Sequence, residues 1–228
     1  MDKFIEINNI TFEYSNGRRV IENFSLNINS EEFTFITGKN GSGKTTLTKL
    51  IMGILKPQSG EIYIYGKSIR GLSLGQIGQD VGYVFQFPER QLFATSVIEE
   101  LTFPLLLKGE RKGDIFERAE ELIRLFELDN IRASYPGLLS YGEKRRLAIA
   151  AVLMNNPKYL ILDEPTASLD NDRIEILQKT LFKLKERKVG LLAISHNKSF
   201  IDNLAQRVIN LEGGKITGDE KKQYRSTY

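Results

Sequence analysis

Apolar and polar positions alternate through "KFIEINNITFEY" (residues 3–14) and "NFSLNIN" (23–29), the period of two expected of half-buried antiparallel strands. Further along, "FTFIT" (33–37), "VGYVF" (81–85), "YLILDE" (159–164) and "LLAISH" (191–196) are nearly continuous apolar, β-rich runs, the pattern of strands buried in a parallel sheet. "GEIYIYG" (60–66) is another strand candidate between turns, and "VINLEGGKI" (208–216) predicts a hairpin closed by Gly213 and Gly214. Between 97 and 154 the spacing turns helical, with segments near 114–127 and 144–154, which predicts a helical subdomain inserted into the core. There is no internal repeat. Only the polar end of "GDEKKQYRSTY" reads as a flexible tail, over 219–228.

Composition bounds the function more than it defines it. With 228 residues, 41% of them hydrophobic, the chain can bury a large core. Lys+Arg 32 against Asp+Glu 29 leaves a net charge of +3 with no long basic run, so nothing electrostatic argues for nucleic acid. There are no cysteines, hence no disulfide framework and no thiolate metal site. The N-terminal stretch lacks the apolar core of a signal peptide, and no apolar run nears the roughly 18 to 20 residues of a membrane span. The expected location is cytoplasmic, with docking on a membrane protein left open.

Two segments carry chemistry. In "TGKNGSGKTT" (37–46), Gly38, Gly43, Lys44 and Thr45 satisfy G-x-x-x-x-G-K-[ST] between a β-rich run and a helix-like run, the context that a phosphate-binding loop requires. Backbone N–H groups through Gly38, Asn40, Gly41, Ser42, Gly43 and Thr46 would face phosphate, helped by the positive end of the following helix. Lys44 would reach the β and γ phosphates of ATP, and the Thr45 hydroxyl would ligate Mg²⁺. Far downstream, "YLILDEP" (159–165) ends a buried strand in two acids at the edge where open α/β sheets bind ligands. Asp163 is placed to help hold Mg²⁺ and Glu164 to polarise a water.

"LSYGEKRRLAIAAVLMNNPKYLILDEP" (139–165) then resembles the signature motif and following acidic strand of ATP-binding-cassette (ABC) ATPases. Within that resemblance Gln86 looks like the Q-loop glutamine and a further Mg²⁺ contact. Ser168 to Asp170 look like the D-loop, His196 like the switch histidine, and Tyr14 like the aromatic that stacks on adenine. The resemblance implies an α/β P-loop NTPase core with a mostly parallel sheet and an antiparallel β subdomain (1–86 and 157–218), plus a helical subdomain at 87–156. It also implies a homodimer, or a heterodimer with a related ATPase, that sandwiches two ATP. Ser140 and Gly142 of one chain, with Asp170 nearby, would meet nucleotide held by the other. Closure would assemble the site and hydrolysis by Glu164, Lys44, Gln86 and His196 would reopen it. Position 141 departs from the family's Leu-Ser-Gly-Gly: a glycine there provides close approach or positive φ, and tyrosine resists the latter.

"FQFPERQLF" (85–93) resembles the corresponding segment of energy-coupling-factor and cobalt-type importer ATPases, where the following helices form a groove for a coupling helix. Phe87, Leu92 and Phe93 would be its apolar anchors beside Glu89 and Arg90, unless they pack inside the helical subdomain. The resemblance implies a motor subunit, peripheral on the inner face of the cell membrane, for import of a vitamin, metal ion or other small nutrient. Many of these ATPases continue beyond the point where this sequence stops after its hairpin. The alternatives are a soluble cassette of DNA repair or translation and a non-catalytic nucleotide-binding module, the latter disfavoured by Glu164 and His196.

Overall fold

The computed structural model describes residues 2–222. Two sheets form, and each follows the hydrophobic pattern that predicts it. The alternating segments β1 (Lys3–Glu13) and β2 (Arg19–Asn29) pair antiparallel, and β1 also pairs antiparallel with β4 (Ser59–Ile64), which carries the short β5 (Lys67–Ser68). The apolar runs become β3 (Phe33–Thr37), β6 (Val81–Val84), β7 (Tyr159–Asp163) and β8 (Gly190–Ile194). With β9 (Arg207–Glu212) and β10 (Lys215–Lys221) they make a six-stranded sheet in the order β10-β9-β3-β8-β7-β6, parallel except for the β9–β10 hairpin.

Successive residues of a strand point to opposite faces, so one apolar strand serves two cores. Ile161, Ile194, Ile36 and Tyr159 face the antiparallel sheet and helix α1 (Lys44–Ile51). Leu160, Leu162, Ala193 and Phe35 face helices α3 (Val97–Leu107), α4 (Lys112–Leu125), α5 (Tyr141–Leu153), α6 (Asn171–Glu186) and α7 (Lys198–Leu204). A single turn, α2 (Leu74–Ile77), precedes β6 and is fixed by a capping box between Ser73 and Gln76. The fold is the expected α/β architecture with an antiparallel sheet and a helical insertion. The helices of the insertion have no separate core: Val97, Leu101, Ile115, Leu122 and Leu147 belong to one cluster with Phe33 and Leu162.

The expected tail is corrected at its start. Asp219, Glu220 and Lys221 lie in β10 opposite Ile209, Val208 and Arg207, and the Arg207 guanidinium donates to both Asp219 carboxylate oxygens at 2.7 Å. A charged sequence forms this strand because only one edge of the hairpin meets the core, so its outward side chains stay solvated. Residues 223–228 lie outside the described residues.

Candidate functional site

The phosphate-loop segment connects β3 to α1 as its spacing predicts. Gly38 leaves the strand at φ 135°, and a Cβ there would fall 2.0 Å from the Leu211 carbonyl oxygen, so only glycine fits against β9. Gly43 caps α1 at φ 106°. The loop opens into a cleft of about 520 Å³ lined by Tyr14, Arg18, Val20, Asn40, Gly41, Gly43, Lys44, Thr45, Thr46, Gln86 and Glu164. Lys44 Nζ donates to the carbonyls of Gly38 (2.7 Å) and Lys39 (3.0 Å). Burial pushes this ammonium below its ordinary pKa, while Glu164 and Asp163 oppose the shift. The Ser42 hydroxyl is buried without a hydrogen-bond partner among the described residues, and the Tyr14 and Thr46 hydroxyls lie 3.0 Å apart.

The two acids arrive from the end of β7, in register beside β8. Thr45 Oγ1 donates to Asp163 Oδ1 at 3.1 Å, joining residues 118 positions apart, and the Tyr83 hydroxyl donates to Asp163 Oδ2 at 3.4 Å. Burial raises the Asp163 pKa, and the two hydroxyl hydrogen bonds restrain the rise. Glu164 stands at φ 50°, a left-handed conformation rare for a non-glycine residue, and its N–H donates to the Ile194 carbonyl at 3.1 Å. That bend turns the carboxylate away from the strand, and Glu164 Oε1 lies 3.1 Å from His196 Nε2 just past the end of β8. Burial raises its pKa as well, opposed first by His196 and then by Lys44.

This donor set suits a nucleotide and the magnesium that accompanies it. One hydroxyl, one carboxylate and one amide cannot cage a cation, and among the described residues no group of three or more His, Cys, Asp or Glu could hold one alone. Mg²⁺ is typically bound through one or two carboxylates plus substrate phosphates and water, and Thr45, Asp163 and Gln86 match that sharing.

Ser140, Gly142 and Asp170 are not part of the cleft. Ser140 caps α5 in a capping box, with its N–H donating to Glu143 Oε2 at 2.8 Å. Asp170 caps α6 by accepting from the Arg173 N–H at 2.9 Å, and a Cβ on Gly142 would sit 3.0 Å from Arg173 Cδ. These residues form a second cluster around the first turns of α5 and α6. Position 141 lies in the first turn of α5 without positive φ, so tyrosine is unstrained there, and its hydroxyl donates to the Gln86 carbonyl at 2.8 Å. Four residues not expected there adjoin the site: Arg18 and Val20 line the cleft, Tyr83 bonds Asp163, and Arg145 bonds the Gln86 carbonyl. Each acts across a tertiary contact that no local spacing encodes.

The sequence matches the ABC transporter family over residues 21–167, more than half of the chain. This chain belongs to that family. It is 37% identical over 218 residues to the energy-coupling factor transporter ATP-binding protein EcfA2 of Acetivibrio thermocellus, covering 93% of this chain and 78% of that protein. Its fold superposes on cbiO1 of Clostridium perfringens, part of the ABC transporter complex cbiONQ, with a TM-score of 0.89 at 30% identity over 97% of this chain and 89% of the other. It also matches the cassette MJ0796, solved as a dimer in a post-hydrolysis state with ADP and Pi, with a TM-score of 0.86 at 29% identity over 97% of this chain and all of that one. The protein is thus an ABC ATPase, of a family that binds and hydrolyses ATP. No helix among the described residues is long and apolar enough to cross a membrane.

Proposed function

We propose that this ABC ATPase is the motor subunit of an energy-coupling-factor-type importer, bound to the inner face of the membrane and serving uptake of a vitamin, metal ion or other small nutrient. The observation that carries the docking part is an apolar surface directly beyond Gln86. Phe93 is 64% and Leu107 71% exposed, with Phe87 and Phe103 also exposed, and the Phe93 and Phe103 rings meet edge to face at 6.1 Å. Leu92 is half-buried and packs partly against the helical core, so it offers less open surface than Phe93. An apolar strip beside the exposed charges of Glu89 and Arg90 suits an amphipathic helix of a membrane subunit. The EcfA2 and cbiO1 likenesses support this class, and nothing observed favours the DNA-repair or translation alternative.

In the reaction, Lys44 and the loop amides bind and orient the phosphates, while Thr45, Asp163 and Gln86 would hold Mg²⁺. Bound there, Mg²⁺ supplies charge neutralisation of the phosphates. Glu164 accepts the proton of the attacking water, and His196, 3.1 Å from it, orients that carboxylate and faces the γ-phosphate. Ser140, Gly142 and Asp170 address nucleotide held by a second cassette, in line with their separation from the cleft and with the dimeric state of the MJ0796 cassette. Tyr14 stacks its ring on adenine. Purification of the tagged chain from membranes tests the reading: an integral membrane protein should be recovered with it, and recovery of the chain alone under conditions that preserve such complexes would overturn it.

A further inference from the structure

The residue that departs from the family signature makes contacts a glycine cannot. Tyr141 Oη donates to the Gln86 carbonyl at 2.8 Å, and Arg145 Nη2 donates both to that carbonyl (2.8 Å) and to Tyr141 Oη (3.0 Å). The two lone pairs of one carbonyl are therefore filled by one helix. Arg145 also donates through Nη1 to the Phe85 carbonyl at 3.0 Å and through Nη2 to the Glu164 carbonyl at 3.4 Å. Its side chain is 1% exposed, and its guanidinium lies 5.3 Å from the Tyr141 ring centre. Arg145 Nε is buried without a hydrogen-bond partner among the described residues, so the guanidinium is held through its two Nη groups, for which Tyr141 supplies one acceptor and one platform.

The geometry points to Tyr141 as a positioning residue for ATP hydrolysis: its hydroxyl, with Arg145, fixes the Gln86 main chain, and hence the Gln86 side chain in the cleft, to the first turn of α5. This deepens the reading of Gln86 as a site residue and rests on it. Once the carbonyl of residue 86 is fixed, the following peptide plane is fixed too. The far side of the loop is already held, because Gln91 Oε1 accepts from the Phe85 N–H at 2.7 Å and Gln91 Nε2 donates to the Tyr83 carbonyl at 2.9 Å. Ser140 precedes Tyr141 in sequence, so the residue assigned to a second cassette and the residue that holds the Gln86 carbonyl share the first turn of α5.

Tyr141→Phe removes the hydroxyl and keeps the ring under Arg145. One such hydrogen bond corresponds to roughly a two- to tenfold change in an equilibrium. In the full chain within its membrane assembly, kcat should fall about fivefold while KM for ATP stays within twofold. Amide exchange of residues 85–91 in the nucleotide-free chain should accelerate by a similar factor, with the rest of the chain unchanged. Gln86→Ala, which keeps the carbonyl, should lower kcat without accelerating that exchange, and adding Tyr141→Phe to it should lower kcat little further, because the two act through one side chain. Unchanged kcat and unchanged exchange in Tyr141→Phe, or exchange accelerated across the whole chain, would overturn the proposal. If Gln86→Ala hydrolyses ATP like the parent, the site reading fails and the positioning role falls with it. If Gln86→Ala loses turnover and Tyr141→Phe does not, the proposal alone falls.

Discussion

Replacing Glu164 by glutamine isolates one function of the cleft. The residue stands at φ 50°, so its backbone carries about 1–2 kcal/mol of left-handed cost, and glutamine bears the same cost with the same side-chain length. The fold and the Ile194 hydrogen bond are therefore left in place. The amide still reaches His196 Nε2, 3.1 Å from the present carboxylate oxygen, but cannot accept a proton from water. General-base assistance contributes about 10²- to 10⁴-fold, so the barrier should rise by about 3 to 5 kcal/mol at 1.36 kcal/mol per decade. Meanwhile a negative charge beside the phosphates disappears, so ATP affinity should hold or increase. Phosphate release under saturating ATP measures the first effect and equilibrium binding the second. With hydrolysis blocked, the ATP-bound variant should also accumulate as a dimer in size-exclusion chromatography, and a Ser140→Ala change should weaken that dimer. Hydrolysis by Glu164→Gln at the parent rate would remove Glu164 from the reaction.

Lys44→Ala should weaken ATP binding about 10- to 100-fold, since it removes a charge-assisted donor to the phosphates, and parent-like affinity in equilibrium binding would refute the loop assignment. The kcat/KM profile should show an acid limb above the ordinary glutamate value of 4.5, because burial raises Glu164 and the base acts only when deprotonated: activity is present above that raised pKa and lost as pH falls through it. A limb at or below 4.5 would contradict the environment described for Glu164. Phe93→Asp should keep its melting temperature and ATP binding, since the ring is largely solvent-exposed, yet lose recovery of the membrane partner; an unfolded variant would mean the ring is core.

What the sequence discloses here is what short range encodes. The glycines of residues 38–46 are legible because a phosphate loop needs a fixed local spacing, and β7 is legible because an apolar strand ending in Asp163 and Glu164 is a contiguous pattern. Arg18 reaches the cleft from the β1–β2 connection and Val20 from the start of β2, and Tyr83 reaches Asp163 from a neighbouring strand, with no periodicity to announce any of them. Tyr141 reads as a flawed glycine when judged from the motif alone. Its role depends on where Gln86 and Arg145 lie after folding. The tail reads as disordered because its composition is charged, whereas pairing to Arg207 and its neighbours is a property of the hairpin partner.

The packing also bears on how the cleft can influence the apolar surface. Because α3, α4 and α5 share one core with the sheet, moving the helical block as a whole would strip apolar contacts along Leu101, Ile115 and Leu147. The segment from Phe85 to Ala94 adds to its packing at Phe85, Leu92 and Ala94 a set of directed polar contacts. Tyr141 and Arg145 grip the Gln86 carbonyl, Gln91 bridges Phe85 and Tyr83, and Glu100 Oε2 accepts from the N–H groups of Phe93 and Ala94 at 2.8 Å each. Glu100 is buried on α3, so Phe93 is presented to solvent by a carboxylate anchored in the helical layer. Gln86 and Phe93 thus lie on one short segment whose hydrogen bonds tie it to α5 at one end and to Glu100 of α3 at the other. The contacts that would hold ATP chemistry in register and those that would display the docking ring therefore belong to one loop, tied at one end to the nucleotide cleft and at the other to α3.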